Sequence, residues 1–206
     1  PEVRTGCSGS PLLKKRFTLS LDAMGGDQAP RMVVEGIDIA SERLPDVDYL
    51  LFGDEKQLAP LLDACPRAKA CSQIHHTDES VQNETKAVVA LRRGRNTSMR
   101  LAINAVKDGR AAGVISAGNT GALMAMGKFV LRMLPGIERP AIATYFPTQR
   151  GESVMLDLGA NVECDARNLV QFAVMGEVFA RNVLGIQQPS IGLLNIGVEG
   201  FKGNDT

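Results

Sequence analysis

The chain contains no tryptophan, and aromatic side chains make up only 4% of its 206 residues, so it lacks the flat surfaces on which single-stranded nucleic acid stacks. It also lacks net charge. Its 23 basic and 23 acidic side chains cancel, which excludes a broad electrostatic footprint for nucleic acid or for an anionic lipid surface. Any anion site must therefore be local. No apolar run approaches the roughly 20 residues of a membrane-spanning helix. Cys7, Cys65, Cys71 and Cys164 lack the close pairs that zinc sites use. With no secretory segment to place them in an oxidising compartment, they read as reduced, buried thiols. Cys164 would serve as a nucleophile only with His75 or His76 beside it, which spacing does not establish. Residues 1–16 offer only Leu12 and Leu13 as an apolar segment and read as a flexible leader.

Glycine, by contrast, is plentiful, with 21 residues, many of them at the ends of short apolar runs. From Phe17 to the end of the chain one unit recurs: an apolar run, a Gly- or Asp-bearing turn, then a helical pattern. That rhythm predicts one α/β domain over 17–206, with three layers and a largely parallel sheet covered by helices on both faces. Strands are expected at 17–21, 47–52, 72–77, 112–116, 141–146, 153–158 and 190–195. Most carry consecutive rather than alternating apolar residues, as strands buried on both faces do. Helices are expected at 31–42, 55–64, 97–107, 119–133 and 165–184, with Thr97 and Asp165 as caps. Apolar residues spread widely around the last of these, which predicts burial, against a second subunit among other possibilities. Residues 78–96 break the pattern and read as a loop ending in Arg92, Arg93 and Arg95. That basic end would reach a phosphorylated ligand or partner, or simply be solvated.

The most informative stretch runs from Val114 to Met126. An apolar strand enters the small-residue turn Ser116-Ala-Gly-Asn-Thr-Gly121, and a helix follows whose first N–H groups have no partner within it. Ser116 and Thr120 offer hydroxyls and Asn119 an amide N–H, while Gly118 and Gly121 let the backbone approach a ligand; these are the groups an anion or a tetrahedral intermediate needs. It is not a Walker loop, because the Gly-Lys-Ser/Thr ending is missing. A second turn, Asp157-Leu-Gly-Ala-Asn161, also leaves a strand end, with Asn161 as a donor and Asp157 as its orienter or a base. Asp22-Ala-Met-Gly-Gly-Asp27 closes the first strand; its two carboxylates would position groups, bind a metal or shape the turn, and no third carboxylate at ligand spacing supports a metal. Near the end, Lys202 offers a point charge for phosphate and Asn204 an amide. Each of these turns also has a purely structural reading, as tight strand-to-helix packing.

Taken in order, Asp22-Ala-Met-Gly-Gly-Asp27 with Ala29-Pro30, Ser116-Ala-Gly-Asn-Thr-Gly-Ala122, Arg139-Pro140, Leu156-Asp-Leu-Gly-Ala-Asn161 and Lys202-Gly-Asn204 resemble the bacterial phosphate acyltransferases of phospholipid synthesis. The resemblance implies transfer of a fatty acyl group from acyl carrier protein to inorganic phosphate, without cofactor or metal. It implies the fold of the isocitrate and isopropylmalate dehydrogenases, shared with phosphotransacetylase. It also implies a cytoplasmic homodimer in peripheral contact with the inner membrane and with the downstream acyltransferase. On the matching residues, Asn161, Asp157 and Lys202 would be catalytic, and Ser116, Gly118, Asn119, Thr120, Gly121, Asp22 and Asn204 would hold phosphate. The family usually carries Lys-Pro-Ser near residues 86–88, where this chain has Lys-Ala-Val, and its members continue past the Lys-Gly-Asn motif. An acidic carrier protein would dock on basic residues, with Arg92 to Arg95, or Lys128 with Arg132, as candidates. The rival readings are an NAD(P)-dependent decarboxylating dehydrogenase on the same fold, and a non-catalytic module that binds acyl carrier protein or fatty acid.

Overall fold

The computed structural model describes residues 16–149, 151–161 and 163–194. The fold resolves into two compact units, one ending at Met126 and the other beginning at Gly127. In the first, β1 (Phe17–Asp22), α1 (Arg31–Arg43), β2 (Val47–Gly53), α2 (Glu55–Ala64), α3 (Pro66–Cys71), β3 (Ser72–His76), α4 (Ala87–Arg93), α5 (Ser98–Lys107) and β4 (Gly113–Ile115) are followed by α6 (Thr120–Leu131), which runs on past the boundary. The four strands form one sheet in the order β3-β2-β1-β4, and every pair is parallel. The register places Leu21 beside Leu51 and Ile115, and Leu51 beside Ile74.

Strand periodicity explains why both faces are covered. In β2, Tyr49 and Leu51 point to one side, where they pack with Val34 and Ile37 of α1, Leu58 and Leu62 of α2 and Ala68 of α3. Leu50 and Phe52 point to the other, against Ala102 and Ala105 of α5 and Ala111. A consecutive apolar run is what such a strand requires. Ser20, fully buried in β1, is tolerated because its hydroxyl donates to the carbonyls of Ala102 at 2.8 Å and Gly113 at 3.2 Å. Fully burying a side chain such as Leu51, which has no exposed surface, contributes about 2 kcal/mol.

Asp38 ties α1 to α3. One carboxylate oxygen accepts from the Ala68 N–H at 3.0 Å and the other from the Arg67 guanidinium at 2.8 Å. The Ala68 N–H first, and Arg67 next, hold the Asp38 carboxyl below the usual carboxylate range. A depressed folded-state pKa gives stability that is present above the unfolded value and lost as pH falls through the folded one. Urea midpoints measured from pH 6 down to pH 2 are therefore expected to fall less steeply for Asp38→Asn than for the parent; parallel curves would remove Asp38 from the acid response.

The second unit contains β5 (Ala143–Thr148), β6 (Gly151–Leu156) and α7 (Ala166–Val183). Asp165 caps α7 with a reciprocal box, accepting from the Asn168 N–H at 2.8 Å while the Asn168 side chain accepts from the Asp165 N–H, which satisfies two otherwise orphan donors. The helix packs on β6 where Gly176 faces Leu156, and Phe179 meets Tyr145 with ring centroids 5.8 Å apart.

Three expectations need correction. The strands placed at 141–146 and 153–158 are β5 and β6, an antiparallel hairpin, so the parallel pattern holds for the first unit only. Residues 149–150 are all that separates them, and a parallel crossover needs a dozen or more residues. Residues 190–194 carry no strand, while Asn195 lies outside the described residues. Residues 87–93, read as loop, form α4, and α3 was unforeseen although Pro66 sits at its first position, where proline is well suited. Within the single chain α7 buries Phe172 and Ala180, while Val170, Val174 and Val178 are 64%, 50% and 53% exposed.

Candidate active site

The strand order reverses beside β1: the chain steps outward from β1 to β2 to β3, then returns to place β4 on the other flank of β1. β1 and β4 are thus parallel neighbours that are not consecutive in the chain, and a reversal of strand order of this kind is where parallel α/β sheets bind ligands. Both loops singled out in the sequence begin there, after Asp22 and after Ile115.

Asp22 joins them. Only 3% exposed, it accepts the Ser98 hydroxyl on one carboxyl oxygen at 2.5 Å and the Ser116 hydroxyl on the other at 2.7 Å. The Ser116 oxygen in turn accepts the N–H of Gly118 at 3.1 Å. The two loops also touch backbone to backbone. A Cβ on Gly118 would lie 3.1 Å from the Gly25 Cα, and one on Gly25 would lie 3.0 Å from the Gly118 nitrogen and closer still to the Asp22 carboxyl group. Glycine is needed at both positions for this approach.

Asn119 ties in a third loop. Its amide nitrogen donates to the carbonyls of Asn83 at 2.8 Å and Thr85 at 2.9 Å, with a longer contact to Gln82 at 3.4 Å. Its amide oxygen accepts the Ala122 N–H at 2.9 Å and so caps α6. Asn83 donates to Asp27 at 2.6 Å. A cavity of about 240 Å³ lies between these loops, lined by Met24, Gly26, Asp27 and residues 81–84. Asn119 thus spends its side chain on holding loops, while Thr120 and Gly121, at the start of α6, are exposed. Asn119→Ala removes a cap, which typically costs about 1 kcal/mol, and frees residues 82–85. Its urea midpoint is expected to fall accordingly, with faster amide exchange at residues 82–86; an unchanged exchange pattern would deny Asn119 this role.

In the second unit, Asp157 and Asn161 close the turn after β6. One Asp157 oxygen accepts from the N–H groups of Ile142 and Ala160, each at 3.3 Å. The other accepts from the Asn161 backbone at 3.0 Å and its side-chain amide at 2.9 Å. The same amide donates to the Pro140 carbonyl at 2.9 Å. Gly159 takes φ +81 inside the turn, a conformation suited to glycine. Burial, with the Asp157 carboxylate next, pushes the Cys164 thiol up, which disfavours the thiolate a nucleophile needs.

His75 and His76 are also engaged locally. His75 stacks on Phe52 at 4.9 Å and lies 2.9 Å from the Arg110 guanidinium; burial first, then that cation, lower its pKa. His76 accepts the Glu55 N–H at 3.2 Å. Arg92 and Arg93 fall in the last turn of α4 and, with Arg95, are exposed; Lys128 and Arg132 are exposed too. Within the first unit the structure brings together Asp22, Ser116, Gly118 and Asn119, followed by Thr120 and Gly121; within the second it joins Asp157 to Asn161. Lys202 and Asn204 lie outside the described residues. The sequence reading missed Ser98, Asn83 and the Pro140 carbonyl.

Residues 17–206 match the family described as "Fatty acid synthesis protein". The chain is similar to the phosphate acyltransferase of Rhodospirillum centenum, with 65% identity over 192 residues, 93% of this chain and 54% of that protein. It is similar as well to the phosphate acyltransferase of Paramagnetospirillum magneticum, with 64% identity over 188 residues, 91% of this chain and 54% of that protein. It spans about half the length of the curated relatives it matches. Among solved structures, the EutD phosphotransacetylase of Staphylococcus aureus matches with a TM-score of 0.58 at 17% identity, over 81% of this chain and 53% of that one. A phosphotransacetylase of Streptococcus pyogenes matches at 0.59 and 18%, over 79% and 53%. At these identities the likeness is one of fold, and it bears out the α/β expectation.

Proposed function

The chain belongs to the fatty acid synthesis protein family, and from that premise we propose that the protein transfers a fatty acyl group from a thioester of acyl carrier protein to inorganic phosphate, releasing acyl phosphate. The observation that carries this reading is the glycine-lined loop after β4, held rigid by Asp22 at the sheet's switch point, in a chain whose relatives are named phosphate acyltransferases.

A phosphate oxygen attacks the thioester carbonyl, the carbonyl oxygen gains the negative charge, and collapse of that intermediate expels the carrier's thiolate. Phosphate is itself the nucleophile, so the protein supplies no activated serine or cysteine. Its work is placement and charge stabilisation: one fixed donor to a developing oxyanion is typically worth about 3 kcal/mol. Thr120 and Gly121, at the start of α6, receive phosphate through their backbone N–H groups and the Thr120 hydroxyl, while Gly118, its own N–H held by Ser116, has no side chain to bar the approach. Ser116, Asn119 and Asp22 keep that loop in its binding shape; a role for the Lys202 cation and the Asn204 amide in the reaction rests on the family resemblance. Asn161, its amide engaged with Asp157 and Pro140, acts with Asp157 by shaping the turn at 157–161. The resemblance further supports a cytoplasmic homodimer that meets the inner membrane and the downstream acyltransferase peripherally. Among the described residues no helix is long and apolar enough to cross a membrane.

Incubating the full chain with acyl carrier protein thioester and phosphate, then trapping with hydroxylamine, tests the reading. Acyl hydroxamate is expected to increase in proportion to added phosphate. No phosphate-dependent increase, or oxidation of a hydroxy diacid with NAD or NADP instead, would overturn it.

A further inference from the structure

We propose that Ser98 is a positioning residue for phosphate, acting through Asp22 on the loop after β4; this rests on the reading of that loop as the phosphate site. Nothing in the sequence motifs points to Ser98. It occupies the first turn of α5 and has no exposed surface, so its hydroxyl has no access to water and no direct access to a ligand.

What that hydroxyl does is donate to one oxygen of Asp22 at 2.5 Å. The other Asp22 oxygen receives the Ser116 proton, and the Ser116 oxygen receives the Gly118 N–H. The four groups make one connected chain whose donors converge from both sides on the Asp22 carboxylate. Ser98 fixes the rotation of the carboxyl group, which fixes the direction of the Ser116 O–H, which leaves an oxygen lone pair facing Gly118. The backbone at Gly118 is thereby held against Gly25, ahead of the exposed Thr120 and Gly121. With Ser98 removed, the Asp22 carboxyl gains rotational freedom and Ser116 a choice of acceptors, so the loop must be ordered by phosphate when it binds. That ordering cost falls on phosphate affinity and leaves the reacting atoms untouched.

A second buried serine provides the control. Ser20 also has no exposed surface, but its hydroxyl donates to the carbonyls of Ala102 and Gly113 and not to Asp22. Removing either hydroxyl takes one donor from a buried site, so a merely structural role predicts the same phosphate binding for both.

The experiment measures inorganic phosphate binding by calorimetry, together with KM for phosphate and kcat, for the full chain and for Ser98→Ala, Ser98→Cys and Ser20→Ala. Ser98→Cys keeps the size with a much poorer donor, and reports if the alanine variant fails to fold. Both Ser98 variants are expected to weaken phosphate binding and raise its KM five- to twentyfold, with kcat within twofold and the acyl donor KM unchanged. Ser20→Ala is expected to lower thermal stability with phosphate binding as in the parent. If Ser98 variants bind phosphate within twofold of the parent, or Ser20→Ala weakens it equally, the proposal is wrong while the phosphate site stands. If the parent itself binds no phosphate, the reading of the site falls and the proposal with it.

Discussion

Asp22→Ala is expected to reduce phosphate-dependent acyl transfer at least a hundredfold and to lower the free energy of unfolding by about 3 kcal/mol. The side chain is 3% exposed and receives two hydroxyls, from Ser98 and Ser116. Truncation leaves both facing a void without their acceptor, and a buried polar group without a partner costs about 1–3 kcal/mol. The catalytic loss is larger because the same group joins the loops after β1 and β4, and misplacement by an ångström far from the chemistry is worth orders of magnitude in rate. Asp22→Asn should be much milder in stability, about 1 kcal/mol, because a serine hydroxyl can reverse its role. The new amide oxygen accepts from one serine, and the new N–H₂ donates to the oxygen of the other. Urea unfolding followed by phosphate titration of both variants checks this. A stable, active alanine variant would show that the loops hold together without Asp22.

Much of this site was legible as sequence, for a definite reason. Glycine pairs directly after apolar runs mark places where a strand ends and backbone must approach backbone, and Gly25, Gly26 and Gly118 do so. The turns were therefore found where they are. Less legible was the direction of their polar side chains. Asn119 and Asn161 look like donors waiting for a ligand, yet both amides are turned back onto carbonyls of their own surroundings. An asparagine in a turn reads the same in either case, because the choice depends on carbonyls brought in from residues 82–85 and from Pro140. Ser98 was invisible for the complementary reason: it belongs to no motif, and only the arrival of α5 over the end of β1 gives its hydroxyl a purpose. The antiparallel hairpin was legible in the loop length but was overridden by the parallel rhythm of the first half of the chain. Strands placed at 141–146 and 153–158 already leave only residues 147–152 between them, too few for a parallel crossover, and the true limits, Thr148 and Gly151, leave fewer still, so loop length alone called for a hairpin.

The contrast between two aspartates follows from which donors surround them. Asp157 receives four N–H groups, from Ile142, Ala160, the Asn161 backbone and the Asn161 side chain; the three backbone donors cannot accept in return, and the Asn161 amide could do so only by turning its nitrogen away from Pro140. Asp157→Asn therefore sets an N–H₂ against N–H donors, whereas the same change at Asp22 meets hydroxyls that can turn around. Asp157→Asn and Asp157→Ala are accordingly expected to be alike. Each should lower the unfolding free energy by about 2 kcal/mol, less than the sum of four bonds because the group is half-buried and water replaces some of them. Each should also lower acyl phosphate formation at least a hundredfold as the turn at 157–161 loses its shape. Amide exchange reads the cause directly: protection at Ala160 and Asn161 should collapse in both variants while that at Gly118 is kept. If Asp157→Asn proved as mild as Asp22→Asn, the convergence of donors on Asp157 would not be what holds the turn.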